Sequence, residues 1–261
     1  MSQRWIPGAV SATFRNMPLS VGDILDLLAS CRLQTVEWSE NAHIAPDDPA
    51  GAAALYRRTS DAGLTVAAYG SYYRLGEQEG EAERTFLRSL RSAAALHAPV
   101  IRIWGGSAGS AGVDEATRAC LTREAALVAR IAAEEGIRVA LEWHKNTLTD
   151  INESARRLLE EAEAPNLYCL WQPTVALTPR ERTEGIRLMG DRLLNFHVYS
   201  WPDGKRGPLN AAEWQYYLDA AAGLHGERAL MLEFVRDDSP DQFRADAAVL
   251  VQLTESENAH G

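Results

Sequence analysis

Residues 137–173, IRVALEWHKNTLTDINESARRLLEEAEAPNLYCLWQP, decide the fold. They open on a short apolar run ending in Glu142, pass through a segment with apolar residues at helical spacing (NESARRLLEEAE), and return to a second apolar run ending in Gln172. A strand, a helix and a strand in that order form a crossover unit, in which the two strands lie parallel in one sheet. The alternation continues outward in both directions. Strand-like runs fall near residues 6–14, 33–38, 64–69, 99–104, 137–143, 166–172, 193–199 and 229–235, and segments such as VGDILDLLASC, EAERTFLRSLRSAAAL and REAALVARIAAEEG lie between them. Eight strands alternating with helices predict an α/β fold, a closed (β/α)8 barrel. Ser20 is expected to cap the first helix and Asp150 or Asn152 the fifth, while Gly136 and Gly223 stand where a left-handed turn would end a helix.

A doubly wound open sheet is the competing architecture. It would show a glycine-rich phosphate turn after its first strand, and that turn here reads FRNMPLS. The dense glycine cluster, WGGSAGSAG at 104–112, follows the fourth strand and carries no lysine, so it reads as a flexible active-site loop.

Composition limits the rest. A chain of 261 residues with 46% hydrophobic content can bury one full barrel core, so residues 1–261 are read as a single domain, with the polar stretch Thr254–Gly261 expected to fray. The net charge of -10 argues against a nucleic-acid partner, and any acidic substrate would need a local cationic pocket. Cys31, Cys120 and Cys169 lack metal-type spacing and read as buried free thiols of a reducing cytoplasm. No run is long enough to span a membrane, and the first residues do not resemble an export signal.

Glu142, Gln172, His197 and Glu233 each end a strand-like run, and a parallel barrel would bring all four to one mouth. An ionised glutamate inside an apolar strand is costly unless paired or metal-bound, and two of them repel unless a cation lies between. Side-chain alternation puts His144 on the same face as Glu142, and Tyr199 on that of His197. Trp104 and Trp201 offer flat faces for a sugar, with Arg102 on the face of Trp104, whereas Trp143 and Trp171 point to the helices. Tyr69, Tyr72 and Arg74 in YGSYYR, together with Glu37 and His43 in VEWSENAH, complete the candidate substrate contacts; Arg74 and Lys205 or Arg206 could hold a phosphate or carboxylate.

Together the segments LQTVEWSENAHI, VAAYGSYYRLG, IRIWGGSAGS, LEWHKNTLTD, LWQP, NFHVYSW and MLEFV resemble the sugar phosphate isomerase/epimerase family of the xylose isomerase-like TIM-barrel superfamily. Tagatose 3-epimerase, hydroxypyruvate isomerase, inosose dehydratase and endonuclease IV are members of that superfamily. The resemblance implies one divalent metal ion held by Glu142, Gln172, His197 and Glu233. Oxygen-rich ligation with one imidazole suits manganese first, then magnesium, zinc or cobalt. The family's Asp-Pro-x-His reads Gln172-Pro173-Thr174-Val175 here, so one ligand loses its charge.

The chemistry so implied is proton abstraction beside a carbonyl of a small carbohydrate, with Glu142 and Glu233 as catalytic bases and His144 as a proton-transfer or substrate-contacting group. Return of the proton to the same carbon from the opposite face would be epimerisation, return to the neighbouring carbon isomerisation, and loss of a β-hydroxyl dehydration. A metal-free sugar-binding barrel is the main alternative from another class. A nuclease of the endonuclease IV kind is disfavoured by the charge and by the few histidines at strand ends. Whether the chain forms a homo-oligomer is left open.

Overall fold

In the computed structural model, which describes residues 3–77 and 80–260, eight parallel strands close into a barrel in the order of the chain. They are β1 (Arg4–Val10), β2 (Thr35–Ser39), β3 (Thr65–Arg74), β4 (Val100–Trp104), β5 (Arg138–Glu142), β6 (Leu167–Trp171), β7 (Leu193–Val198) and β8 (Glu227–Leu232). Helices α1 (Val21–Ser30), α2 (Pro49–Asp61), α3 (Ala82–Ala95), α4 (Glu115–Glu134), α5 (Asn152–Ala162), α6 (Pro179–Met189), α7 (Ala211–Ala221) and α8 (Pro240–His260) alternate with them. Six consecutive partners from Arg4↔Glu227 to Ala9↔Leu232 join β1 to β8 and close the ring. Every strand expected from the sequence is present. The first is displaced: β1 ends at Val10, and Ser11–Phe14 form a short 3-10 turn.

Two layers of apolar side chains follow from strand alternation. Val10, Ala68, Val100, Ala140, Leu170, Leu194, Ala229 and Met231 form one buried cluster, which fills the barrel interior with mostly small residues. Residues of opposite parity, such as Val139, Leu141, Cys169 and Trp171, join the larger cluster under the helices. Inward positions one step above the interior cluster are Arg102 on β4, Glu142 on β5, Gln172 after β6 and Glu233 after β8. The polar layer therefore lies directly on the apolar one.

His197 reaches the same layer only because β7 is irregular. Leu194 is inward, so strict alternation would turn His197 outward. However, Cys169 pairs with Leu193 and Trp171 with Phe196, so three residues of β7 span two of β6. This bulge at Asn195 resets the parity and aims His197 inward, and the Asn195 carboxamide oxygen accepts the Ala229 N–H at 3.1 Å.

Several local expectations are corrected. Ser20 does cap α1, its hydroxyl accepting from Asp23 N–H while the Asp23 carboxylate accepts from Ser20 N–H. Neither Asp150 nor Asn152 caps α5: Asp150 accepts from Ser110 N–H at 2.9 Å, and Asn152 donates to the Glu181 carbonyl at 2.8 Å, tying α5 to α6. Gly136 is left-handed as expected, but after α7 the positive φ falls at Gly226, not Gly223. Residues 254–260 continue α8; Thr254 is buried, and Asn258 exchanges two hydrogen bonds with the backbone of Trp5. Gly261 lies outside the described residues. The three cysteines are free, yet only Cys169 is buried; Cys120 is exposed on α4, its sulfur 3.0 Å from Arg123 Nη2. Among the described residues, no helix is long and apolar enough to cross a membrane.

Candidate active site

Two charged side chains from the first half of the barrel anchor the polar layer. Arg102 and Glu37 are almost fully buried, and the guanidinium donates to Glu37 Oε1 through Nε at 3.3 Å and Nη2 at 3.1 Å. Arg102 Nη1 also donates to the Ser71 carbonyl at 3.0 Å and lies 3.0 Å from Glu142 Oε2. Between β2 and β4 stands Gly70 of β3, where a Cβ would meet Glu37 Oε1 at 2.5 Å and Arg102 Nη2 at 2.7 Å. The absence of a side chain there is what lets the pair form. Burial would raise the Glu37 carboxyl, but the charges of His197 and Arg102 outweigh it and hold it at about 2.

Glu37 also orients His197. Its Oε2 accepts from His197 Nε2 at 3.2 Å, so that nitrogen carries a proton. The other nitrogen, Nδ1, is fully buried with no hydrogen-bond partner among the described residues, 3.4 Å from Glu233 Oε2. A lone pair facing a carboxylate is a conflict that either a second proton or a cation resolves. With no ion present, burial would lower the imidazole's pKa, but the charges of Glu233 and Glu37 prevail and raise it to about 10. Donor atoms of Glu142, His197 and Glu233 all lie within 4.8 Å of one another, a grouping able to hold a metal ion. A carboxylate behind an imidazole whose other nitrogen faces two more carboxylates is a common design of metal centres. The charges agree with this reading: three glutamates against Arg102 leave a deficit that one divalent ion cancels.

Gln172, the remaining expected ligand, is oriented by its neighbours. Its Nε2 donates to the Trp143 carbonyl at 2.7 Å and to Glu142 Oε1 at 3.0 Å. A carbonyl only accepts, so the group facing Trp143 must be the amide nitrogen, and the amide oxygen is turned away from both partners. Glu142 is thus held at both oxygens. Glu233 faces His197 Nδ1 at 3.4 Å and accepts no shorter side-chain hydrogen bond among the described residues. Its aim is set by Phe234, which takes a left-handed conformation (φ 55°) and donates its N–H to Thr13 Oγ1 at 3.1 Å.

Above this layer opens a cavity of about 250 Å³. Of the expected residues, Tyr72, Arg102, Trp104, Glu142, His144, Gln172, Tyr199, Trp201 and Glu233 line it. Glu37 and His197 lie beneath, out of a substrate's reach. Tyr69 is buried elsewhere and donates to Glu40 Oε2 at 2.9 Å, and His43 packs edge-on against Trp38. Arg74 and Arg206 do not line the cavity either. The Arg74 guanidinium lies 3.3 Å from the centre of the Trp104 ring, and Arg206 pairs with Asp238 at 2.5 Å. His144 stacks on the same Trp104 at 4.7 Å, so that indole has little face left for a sugar. Trp201 packs against Tyr199, whose hydroxyl burial and the neighbouring glutamates keep protonated. The glycine-rich loop packs on the segment after β5, with Leu148 N–H bonded to the Gly105 carbonyl at 2.8 Å, and adds only Trp104 to the lining.

Sequence reasoning missed Arg15, Lys145, Thr174, Val175 and Phe234, which complete the rim with Ala12. All lie within a few residues of a strand end, and that position is the signal that could have found them. It also missed Gly70.

The family described as xylose isomerase-like TIM barrel matches residues 25–250. No curated protein matches the sequence. Among solved structures, the probable 3-DHS dehydratase AsbF from Bacillus anthracis superposes with a TM-score of 0.79 at 16% identity, over 96% of this chain and 99% of that one. A xylose isomerase domain protein from Planctomyces limnophilus gives 0.77 at 16%, over 99% and 100%. An L-ribulose 3-epimerase gives 0.70 at 12%, over 100% and 97%. At these identities the likeness is one of fold.

Proposed function

The chain belongs to the xylose isomerase-like TIM barrel family, and on that premise we propose that it is a divalent-metal-dependent isomerase or epimerase of a small sugar, sugar phosphate or keto-sugar. The observation that carries this reading is the unpartnered Nδ1 of His197, turned by Glu37 toward the carboxylates of Glu142 and Glu233. Those three residues would hold the ion, manganese being the best match to two carboxylates and an imidazole. A bound divalent ion supplies the positive charge that acidifies a C–H beside a carbonyl.

The chain's own residues divide the remaining work. Glu233, which faces His197 Nδ1 at 3.4 Å and accepts no shorter side-chain hydrogen bond among the described residues, is the carboxylate with a lone pair available to take the substrate proton, and Glu142 on β5 is the second base. Gln172 serves as a clamp: its two donated bonds fix Glu142 against the Trp143 carbonyl. His144 donates through Nδ1 to the Lys145 carbonyl, so its neutral form presents Nε2 as an acceptor to the cavity. Trp104, Tyr199 and Trp201 wall the cavity. Dehydration is an alternative end to the same proton abstraction, and AsbF, described as a probable dehydratase, shares the fold.

A second reading has its own support. Arg102 and a protonated His197 could balance two of the three carboxylates without an ion, as in a metal-free sugar-binding barrel. Elemental analysis of protein purified without chelator separates the two, followed by a screen of ketoses, keto-inositols and 3-keto-glycosides for solvent deuterium incorporation. One divalent ion per chain and chelator-sensitive incorporation support the enzyme. Metal-free protein that binds sugars without exchange would overturn it.

A further inference from the structure

The chain is rich in arginine and nearly devoid of lysine: of 26 basic residues, 24 are arginine, and the two lysines are Lys145 and Lys205. Among the described residues every ion pair with an acid is made by arginine or histidine. Where a generic cation suffices, this protein uses a guanidinium. Both lysines nevertheless lie in loops at the mouth of the barrel, after β5 and after β7. Lys145 lines the cavity and Lys205 does not.

No carboxylate neutralises Lys145 among the described residues, and its ammonium donates no hydrogen bond there. Its backbone is fixed, because its carbonyl accepts from His144, which is itself stacked on Trp104. One further cavity cation lacks an acidic partner. Arg15 donates through Nε to the Ala12 carbonyl at 3.2 Å and lies over Phe234, on the β1 side of the ring. Arg102, by contrast, is consumed by Glu37 and Glu142. In a protein of net charge -10, and with a divalent ion cancelling the glutamates of the floor, these two exposed cations on the rim of one small cavity would leave a local positive field that a neutral sugar would not use.

We infer that the substrate carries a small oxyanion, a phosphate ester or a carboxylate, and that Lys145 binds it. A compact ammonium reaches an anion from any direction, whereas a planar guanidinium needs a matching fork and more room beside His144. The inference deepens the reading of the site as a carbohydrate isomerase or epimerase and rests on it for the identity of the substrate, but its test needs no turnover.

Because there are only two lysines, reductive 13C-methylation, which keeps the charge, yields two resolvable side-chain signals, and Lys145→Arg assigns them. The metal-replete protein is titrated at constant ionic strength with inorganic phosphate, with malonate and with sorbitol. The Lys145 signal should shift saturably with at least one anion, at a midpoint about tenfold or more below any response of Lys205, and sorbitol should move neither. The more effective anion tells phosphate from carboxylate. In calorimetry, Lys145→Met should weaken binding of that anion about tenfold, Arg15→Gln should weaken it less than Lys145→Met does, and Lys205→Met should change it less than about twofold. Parallel, unsaturating drift of both signals would overturn the proposal. So would unchanged affinity in Lys145→Met, which would leave the anion on the metal, or a greater loss in Arg15→Gln than in Lys145→Met, which would place it across the barrel. Metal content, measured on the same samples, reports separately on the enzyme reading.

Discussion

The first four strands and the last four bring charged side chains to the same mouth, but into different surroundings. From β2 and β4 come Glu37 and Arg102, locked to each other against Gly70, with Glu37 beneath the cavity and Arg102 at its floor. From β5, β7 and β8 come Glu142, His197 and Glu233, whose donor atoms converge with one nitrogen left over. One half is satisfied by the protein itself, and the other holds a buried nitrogen with no hydrogen-bond partner among the described residues. A buried pair that completes its own hydrogen bonds gives rigidity, while unsatisfied donors grouped in one place give affinity. Substitutions in the two halves should therefore fail in different ways.

The largest effect is expected in the second half. Glu233→Gln and Glu142→Gln should each lower solvent exchange of a substrate carbon-bound proton by about 10²- to 10⁴-fold, the usual contribution of a general base, with weaker metal binding added. Folding should be little changed, since neither substitution leaves an unpaired buried cation. Exchange by deuterium incorporation and metal content by elemental analysis are the measurements. If His144→Asn stops exchange while both glutamine variants retain it, the histidine carries the proton and the division of roles is wrong.

The first half should respond in stability. Arg102→Met leaves Glu37 and Glu142 buried without their cation, and breaking one side of a buried pair costs about 3–5 kcal/mol. Urea unfolding should show that loss. Gly70→Ala is the steric version, because its Cβ would press on Glu37 Oε1 at 2.5 Å, and it should destabilise in the same direction. If Arg102→Met unfolds like the wild type yet loses exchange, Arg102 acts on the substrate and belongs with the second half.

This asymmetry also explains what could be read from the chain. Strand and helix periods repeat locally, so the eight-fold alternation and the strand-end positions of Glu142, Gln172, His197 and Glu233 were legible. Family membership followed from the same segments. The partnership of Glu37 with Arg102 was not legible, because it crosses 65 residues and an intervening strand and depends on a glycine with no signal of its own. Periodicity tells which face a residue takes, not which neighbour it meets. From the sequence alone Glu37, Tyr69 and His43 read as substrate contacts, although all three sit outside the cavity. The bulge that turns His197 inward has no sequence mark either; the expectation for that residue rested on its place at a strand end and on the resemblance.

Gln172 stands at the boundary between the halves, and its substitution should have an intermediate effect. Gln172→Ala removes a donor from a charged carboxylate, a bond worth about 1.5–3 kcal/mol, and lets Glu142 swing. Exchange should fall about tenfold or more while one ion per chain remains. Gln172→Asp cannot donate to the Trp143 carbonyl and should not restore exchange. If Gln172→Ala instead empties the site of metal, the amide oxygen is a ligand after all, and the clamp is not its role.

The smallest effect is expected at the opposite end of the barrel, where β1 begins. Asn258 near the end of α8 accepts from Trp5 N–H at 2.8 Å and donates to the Trp5 carbonyl at 2.9 Å, pinning the last helix to the first strand. These two bonds serve the edge of β1 away from β8, where pairing with β2 begins only at Gly8, and they are part-buried, so water replaces them only in part. Asn258→Ala should lower stability by about 1 kcal/mol, within the range for a few neutral hydrogen bonds. Exchange and metal content should be untouched, because conservation of shape at the mouth does not depend on this end of the barrel. A change in metal affinity on Asn258→Ala would show that the two ends are coupled through β1, and stability and chemistry could then no longer be assigned to separate halves of the mouth.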